Sequence, residues 1–361
     1  MTDRLNNLMN KLQKQTESFD AALITSEINR LYFTGFKSSA GLVLVTRDES
    51  YFIVDFRYYE AAAKKVKGVK VALGSDFKSE LLKLIKKHKI KSILLENAGI
   101  TLAEVLKFEA WVKDNGVSFI KTSTLDDAIY SLRATKTEEE IQNIKTAQEI
   151  AERALGKFLP KIKIGMTEKE AAFNLEFLMR KEGAESVAFD IIVASGKNGA
   201  VPHAQPSEKK FENGDFITID IGAVYNGYHS DMTRTVAMGK ISQKQREVYD
   251  LVLQAQSKAI EHIKPGVLCK EVDDIARSFI YKNGYEGCFE HALGHGVGLE
   301  IHEKPSLSAR SKDGLNPGTV VTVEPGIYLN NEFGVRLEDM VLVSAEGAVN
   351  LTSAEKNLII L

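Results

Sequence analysis

Cysteine is scarce in this chain of 361 residues, which contains only Cys269 and Cys288. Two cysteines cannot build a disulfide framework or a four-cysteine zinc site, and their scarcity is typical of a reducing compartment. Apolar runs are short: none approaches the ~20 residues that span a bilayer. The first residues also lack the apolar core of a signal peptide. We therefore expect a soluble, cytoplasmic protein without a membrane partner.

An excess of charge of one sign is also absent, since 47 Lys and Arg residues face 49 Asp and Glu residues. This balance excludes a uniformly basic surface for nucleic acid. Residues 1–133 contain 21 basic and 16 acidic side chains, whereas residues 134–361 contain 26 and 33. The acidic excess of the second part is consistent with metal-binding carboxylates, although a solvated acidic face explains it equally simply.

The length exceeds what one hydrophobic core usually holds and predicts two domains. Up to about residue 125, short β-rich segments alternate with helical ones, which is typical of an α/β domain with a mixed or parallel sheet. From Thr137, which forms a capping-box pattern with Glu140, long helices are followed by strands of period two. This second pattern indicates an α+β domain. We place the domains at residues 1–128 and 129–361.

The hydrophobic periodicity predicts individual elements along both domains. Helices are expected over residues 1–17, 56–67, 79–88, 102–115, 138–158, 167–182, 243–263 and 269–283. Strands are expected over residues 21–25, 40–46, 51–54, 69–73, 92–96, 118–121, 189–194, 216–224, 230–238, 320–324, 327–329 and 340–344.

Asp220 lies inside an apolar strand, where an unpaired buried carboxylate costs many kcal/mol. Asp231 follows on the next strand, after the turn signal Asn226-Gly227. If these two are the central turn residues, Asp220 lies opposite Thr233, and both aspartates share one face of the hairpin. Two such carboxylates repel each other unless a cation lies between them. Strand-end aspartates that pair with the nearby Arg234 are the alternative.

Further acids and one imidazole occur in similar surroundings. His295 lies among glycines, Glu324 ends an apolar strand, and Glu338 follows Arg336-Leu337. Each alone is more often a hydrogen-bonded structural residue, and the glycines could instead bind phosphate, but no strand–loop–helix pattern supports that. Four acids and one imidazole together suit a pair of divalent ions bound mainly by oxygen.

In order and context, these five residues resemble the ligands of the pita-bread metallopeptidases, which include methionine aminopeptidase, aminopeptidase P and prolidase. The resemblance extends over essentially the whole chain. Residues 29–36 and 55–59 are similar to the creatinase-type N-terminal domain, residues 132–141 to the entry into the catalytic domain, and residues 194–203 to the segment of the first active-site histidine. It implies a creatinase-like α/β domain followed by an α+β pita-bread catalytic domain.

The proline-specific branch, aminopeptidase P and prolidase, is the most similar. Arg336 shortly before Glu338 and His291 four residues before His295 resemble that branch. Methionine aminopeptidases generally lack such an N-terminal domain, and creatine amidinohydrolases have lost the metal ligands. The resemblance implies hydrolysis of the bond before proline in dipeptides or longer peptides. Methionine aminopeptidase-like activity and a non-catalytic peptide-binding role are the alternatives.

The resemblance also assigns the metal ligands. Asp231 and Glu338 would bridge two divalent ions, Asp220 would bind one ion, and His295 with Glu324 the other. A water shared by two such ions loses a proton near neutral pH and becomes the nucleophile. The resemblance favours Mn²⁺ or Co²⁺, and oxygen-rich ligation also admits Fe²⁺ or Zn²⁺.

The remaining roles follow from the same resemblance. Glu324 would move a proton from the nucleophile to the leaving nitrogen. His302 would stabilise the tetrahedral intermediate, His203 would contact the residue after the scissile bond, and His291 would line the pocket for that residue. Arg336 would either anchor the substrate or pair with a ligand carboxylate. The family further implies a homodimer.

Overall fold

The computed structural model describes residues 2–15 and 18–361, so the outer parts of the predicted helix 1–17 (Met1, Thr16 and Glu17) lie outside the described residues. The chain forms two compact units, Met1–Arg133 and Ala134–Leu361. The predicted boundary at residue 128 falls inside the helix Thr124–Ala134, which continues past it because Ala128, Ile129 and Arg133 are buried.

The N-terminal unit contains one six-stranded mixed sheet, as the alternation of strands and helices predicts. Its helices are α1 (Asp3–Gln15), α2 (Glu27–Thr34), α3 (Phe56–Lys65), α4 (Phe77–His88), α5 (Leu102–Val112) and α6 (Thr124–Ala134). Its strands are β1 (Ala21–Ile24), β2 (Leu42–Thr46), β3 (Ser50–Val54), β4 (Lys70–Leu73), β5 (Ser92–Leu95) and β6 (Ser118–Ile120). The strand order is β4-β3-β2-β1-β5-β6, and β2 is antiparallel to both its neighbours while the outer pairs are parallel.

The sequence patterns missed helix α2. It begins after Ser26, whose side chain accepts a hydrogen bond from the Asn29 backbone N–H, and ends at Gly35 in the left-handed conformation (φ 65°). These are ordinary start and stop signals. The helix is only eight residues long, too short for its apolar period to stand out.

The C-terminal unit combines two pairs of helices with antiparallel strands. The helices are α7 (Glu138–Phe158), α8 (Glu168–Lys181), α9 (Gln243–His262) and α10 (Cys269–Ile280). The strands are β7 (Ser186–Val187), β8 (Ile192–Ser195), β9 (Phe216–Ile221), β10 (Ala223–Tyr225), β11 (Tyr228–His229), β12 (Met232–Ala237), β13 (Gly294–Gly296), β14 (Glu303–Leu307), β15 (Val320–Val323), β16 (Gly326–Leu329), β17 (Phe333–Arg336), β18 (Asp339–Val343) and β19 (Ala348–Asn350). The predicted strand 189–194 is wrong at its start, because β8 begins only at Ile192.

Each pair of helices covers its own part of the sheets. Side chains of α7 and α8, such as Leu175, pack with Ile219 of β9 in one apolar core. Side chains of α9 and α10, such as Val272, pack with Val321 of β15 in another. Strands form the orders β11-β10-β7, β12-β9-β8, β14-β13-β15-β18-β19 and β16-β17. Among the described residues, no helix is long and apolar enough to cross a membrane.

The hairpin that joins β9 to β12 has the predicted register. Asp220 pairs with Thr233, and Tyr225 pairs with Tyr228 across the turn. Asn226 and Gly227 both have positive φ (48° and 78°), which is typical of the tight turn that matches the twist of a hairpin. The two aspartates therefore lie diagonally on one face of the hairpin, as the sequence predicts.

Candidate metal centre

The five predicted metal ligands lie on five different strands or strand ends of the C-terminal unit. They are Asp220 in β9, Asp231 just before β12, His295 in β13, Glu324 just after β15 and Glu338 just before β18. Ligand atoms of Asp231, His295 and Glu338 all lie within 4.8 Å of one another. Glu324 Oε1 lies 3.4 Å from His295 Nε2, so the fold brings residues that are far apart in sequence to one place.

Glycines let β13 approach its neighbours closely enough to place His295. A Cβ atom on Gly294 would lie 1.9 Å from the Thr322 carbonyl oxygen, and one on Gly296 would lie 2.5 Å from that of Lys304. The His295 backbone N–H donates to Thr322 Oγ1 at 3.0 Å. The glycines around His295 therefore serve close backbone packing, and the phosphate-binding alternative has no support here.

The imidazole of His295 faces two carboxylates with its lone pair. His295 Nδ1 lies 3.1 Å from the Gly296 carbonyl oxygen, which can only accept, so Nδ1 bears the proton. Burial lowers the pKa of His295 to about 4, so the ring is neutral at pH 7. Its unprotonated Nε2 lies 3.5 Å from Asp231 Oδ2 and 3.4 Å from Glu324 Oε1. When both carboxyl groups are ionised, lone pairs arranged in this way repel each other unless a cation lies between them.

The carboxylates themselves are buried and close to one another. Burial, and then the charges of Asp220 and Glu324, raise the pKa of Asp231 well above its ordinary value. Burial, and then the charge of Asp231, do the same for Glu338, and burial raises the pKa of Glu324 to about 8. Among the described residues, Asp220 Oδ1 and Glu338 Oε1 are buried without a hydrogen-bond partner. Such a set of oxygen donors fits divalent cations.

Arg336 is the ion-pair partner of Asp220. It is 4% exposed and donates from Nη2 to Asp220 Oδ2 at 2.7 Å and from Nε to Thr233 Oγ1 at 3.1 Å. The Thr233 hydroxyl in turn donates to Glu338 Oε2 at 2.7 Å. These bonds support the second of the two predicted roles of Arg336, pairing with a ligand carboxylate. Substrate anchoring by Arg336 stays a prediction.

Tyr328 connects Arg336 to His291. Arg336 Nη1 donates to the Tyr328 hydroxyl at 3.0 Å, and that hydroxyl lies 2.9 Å from His291 Nε2. His291 Nδ1 lies 2.8 Å from the Ala292 carbonyl oxygen and so bears the proton. Burial lowers the pKa of His291 to about 4, and its neutral Nε2 accepts from Tyr328. With both nitrogens engaged, His291 offers a substrate its ring carbons, which suits the lining of an apolar pocket.

Sequence reasoning missed both Tyr328 and the pair that holds His291. Arg277 of α10 donates to the Phe289 carbonyl at 2.6 Å and to the His291 carbonyl at 2.8 Å. Its partner Asp273 accepts from the Leu293 backbone N–H at 3.1 Å. The i,i+4 spacing signals an ion pair on a helix but not what the pair binds. Tyr328 has no local signal at all.

The two remaining histidines of the predicted site, His302 and His203, lie at the rim of the carboxylate cluster. The ring centroid of His302 is 4.3 Å from that of His295, and both His302 and His203 are exposed. Partial burial of the His302 ring by the surrounding protein, and then the nearby His203, lower the pKa of His302. The carbonyl of Pro202, next to His203, accepts from Arg336 Nη1 at 3.1 Å. A carboxylate-rich interior with histidines at its edge has the groups needed to activate water and to donate hydrogen bonds to a polarised carbonyl.

Comparisons with known proteins agree with this geometry. Residues 142–345 match the model of metallopeptidase family M24, and residues 4–135 match the creatinase/prolidase N-terminal domain. The chain is 41% identical to a Xaa-Pro dipeptidase of Pyrococcus furiosus, covering 99% of this chain and 100% of that protein.

Solved structures show the same two-domain fold. A Xaa-Pro dipeptidase from Bacillus anthracis is 41% identical, with a TM-score of 0.94 and 99% of each chain covered. An X-Pro aminopeptidase from Thermotoga maritima is 40% identical, with a TM-score of 0.90, covering 97% of this chain and 99% of that one. The predicted fold, a creatinase-like domain followed by a pita-bread domain, is confirmed. From its sequence and its fold alike, this chain belongs to metallopeptidase family M24.

Proposed function

We propose that this enzyme hydrolyses the peptide bond between an N-terminal residue and a following proline. The observation that supports it most is the buried cluster around His295, in which one oxygen of Asp231 and one of Glu324 lie within 3.5 Å of the unprotonated Nε2. With its carboxylates ionised, such a cluster is favourable only when cations are bound. The relatives with similar chains that are described as Xaa-Pro dipeptidases and an X-Pro aminopeptidase supply the substrate class.

Asp220, Asp231, His295, Glu324 and Glu338 are the proposed holders of two divalent ions. When bound, the ions supply an activated water and a Lewis acid at the scissile carbonyl. We expect Mn²⁺ first, with Co²⁺, Fe²⁺ and Zn²⁺ as alternatives, because the donors are mainly oxygen. The unbonded oxygens Asp220 Oδ1 and Glu338 Oε1 face no competing protein donor among the described residues.

Side chains of the chain itself move the protons and orient the substrate. Glu324 can accept a proton from the attacking water and return it to the prolyl nitrogen as that nitrogen leaves. His302 at the rim donates to the carbonyl oxygen on which charge develops. His203 contacts the residue after the scissile bond, and the ring carbons of His291 line the pocket for it.

A dedicated pocket for proline has a chemical reason. The nitrogen of a bond before proline is a tertiary amide without an N–H, and the residue before it has restricted backbone angles. Peptidases that bind the N–H of the scissile peptide bond therefore hydrolyse this bond poorly. We further propose that the enzyme is a homodimer, which light scattering on the purified protein tests, and that it is cytoplasmic, which cell fractionation tests.

The decisive experiment measures hydrolysis of Ala-Pro, Ala-Pro-Ala, Ala-Ala-Ala and Met-Ala-Ser by metal-stripped protein, before and after Mn²⁺ is added. We expect Mn²⁺-dependent cleavage of the two proline substrates alone. Their ratio then distinguishes a dipeptidase from an aminopeptidase for longer peptides.

Two results would contradict the proposal. Cleavage of Met-Ala-Ser without cleavage before proline would indicate methionine aminopeptidase-like activity. Stoichiometric metal, measured by elemental analysis, together with no cleavage of any peptide would indicate the peptide-binding role.

A further inference from the structure

Glu168 is a fully buried carboxylate outside the metal centre. It is the first residue of α8 and has no exposed surface. Burying a carboxylate is unfavourable unless hydrogen bonds replace the lost water. The residues that supply those bonds lie far from Glu168 in sequence, at positions 195, 198 and 207.

These donors lie at the two ends of one loop. Ser195, the last residue of β8, donates to Glu168 Oε1 from its backbone N at 2.7 Å and from its hydroxyl at 2.8 Å. Ser207 donates to Oε2 from its backbone N at 3.0 Å and from its hydroxyl at 2.6 Å. Asn198 Nδ2 lies 3.2 Å and 3.0 Å from the two oxygens. We call Glu168 with Ser195, Asn198 and Ser207 the Glu168 clamp.

The loop that the clamp closes, residues 196–206, contains His203. Its middle is also held on the opposite side, since the Pro202 carbonyl accepts from Arg336. The Gly199 backbone contacts that of Gly334, where a Cβ on Gly334 would lie 1.9 Å from the Gly199 carbonyl oxygen. His203 itself is exposed, and among the residues that the structure describes its ring has no hydrogen-bond partner. Its position therefore depends on the backbone of the loop.

We propose that Glu168 is a positioning residue for the hydrolytic reaction: by tying Ser195 to Ser207 it sets where His203 lies at the rim of the metal centre. The inference rests on the proposed function, because His203 has a role there only if the site cleaves peptides. A displacement of about 1 Å in a substrate-contacting group can lower the rate by as much as ~100-fold.

The chain offers a matched control in its N-terminal unit. Glu96 is equally buried and accepts from the same kinds of donor, namely two backbone N–H groups, two hydroxyls and one asparagine amide. Its partners are Thr25, Ser26 and Asn29. Glu168→Gln and Glu96→Gln therefore each remove one buried charge from a similar set of donors, and the two carboxylates hold different segments of the chain.

The test is a double-mutant cycle on kcat/KM for Ala-Pro with Mn²⁺. We expect Glu168→Gln to lower kcat/KM about 10–100-fold with unchanged metal content, and Glu96→Gln to leave it within about twofold. In a His203→Ala background, Glu168→Gln should cause no further loss. An equal loss in both backgrounds, or an equal loss from Glu96→Gln, would overturn the proposal, because either result means general destabilisation.

A second measurement does not depend on activity. In the full-length protein loaded with diamagnetic Zn²⁺, the imidazole ¹³C–¹H signal of His203, assigned with His203→Ala, should shift or broaden in Glu168→Gln while that of His88 stays. An unmoved His203 signal refutes the positioning role even if the enzyme is active. Failure of wild-type to cleave proline substrates, with the signal shifted, refutes the proposed function and leaves the clamp intact.

Glu168→Gln must fold for these results to count. Ser207→Ala is the milder variant, since it removes one hydroxyl donor and keeps the backbone N–H bond to Glu168. Ser207→Ala should lower kcat/KM less than Glu168→Gln does, and again only when His203 is present. Full activity together with an unmoved His203 signal in Ser207→Ala would also contradict the proposal.

Discussion

Arg336 and Asp220 form a buried ion pair, with 2.7 Å between Nη2 and Oδ2. The same guanidinium donates to Thr233, Tyr328 and the Pro202 carbonyl. A planar group with five donors can meet partners in several directions at once, which a lysine ammonium cannot do at this reach. Arg336 therefore orients one proposed metal ligand and supports the loop of His203.

Arg336→Lys should lower kcat by at least about tenfold, and Arg336→Ala by more, because Asp220, a proposed metal ligand, loses the group that orients it. Breaking the buried pair in Arg336→Ala should also lower the free energy of unfolding by about 3–5 kcal/mol. Steady-state kinetics on Ala-Pro measure kcat and KM, and calorimetric titration measures the affinity for the metal. Arg310→Ala, at an exposed arginine, is the control. An unchanged kcat with a raised KM would instead favour the substrate-anchoring role.

Asp231→Asn and Glu338→Gln should each lose most of the bound metal and most turnover. The loss should exceed the ~10–100-fold that removal of an outer partner of a ligand costs. In EDTA the same variants should unfold at a temperature equal to or above that of the wild type, because each removes a carboxyl group whose ionised form is unfavourable in this buried, acidic cluster. Elemental analysis and calorimetry test both effects, with Asp250→Asn on α9 as the control. Normal metal content in either variant contradicts the bridging role.

Stability of the metal-free protein should fall as pH rises from 6.5 to 8.5. Glu324 has a pKa of about 8 in the folded state against an ordinary 4.5, so the folded state binds more protons in that window and loses stability as they leave. His295, lowered from 6.5 to about 4, has the opposite slope but only below pH 6.5. Thermal unfolding in EDTA tests this, and saturating Mn²⁺ should remove the decline. A melting temperature that rises with pH in EDTA would contradict it.

His302→Ala should keep its metal and lower kcat by about 10²–10³-fold, the usual cost of removing a donor to a developing oxyanion. The ring stacks edge-on against His295 at 4.3 Å between centroids and is exposed at the rim. Elemental analysis measures the metal content, and single-turnover kinetics measure the rate of the chemical step. His262→Ala at the end of α9 is the control. Loss of metal in His302→Ala would show that its role is structural.

Local signals predicted much of the fold. The capping box of Thr137 and Glu140 begins α7 where the sequence indicates, with both of its hydrogen bonds present. The turn at Asn226-Gly227 predicts the pairing of Asp220 with Thr233. Both succeed because the determinants lie within a few residues of one another.

Contacts between distant segments could not be predicted. Tyr328 is an ordinary strand residue until the fold brings Arg336 and His291 to its hydroxyl. Glu168 resembles any acid in the first turn of a helix, a place where acids are common on dipole grounds alone. Its burial depends on Ser195 and Ser207, which no spacing rule connects to it.

The pairing of β9 with β12 makes the position of Asp231 depend on the register of the two strands. Side chains alternate between faces, so a shift of one residue in the pairing of β12 with β9 would turn Asp231 to the opposite side of the hairpin. A two-residue change keeps the side but displaces Asp231 by about 6.6 Å along the strand. A register shift of this kind would separate Asp231 from the other proposed ligands, although all five ligand residues would still be present in the sequence.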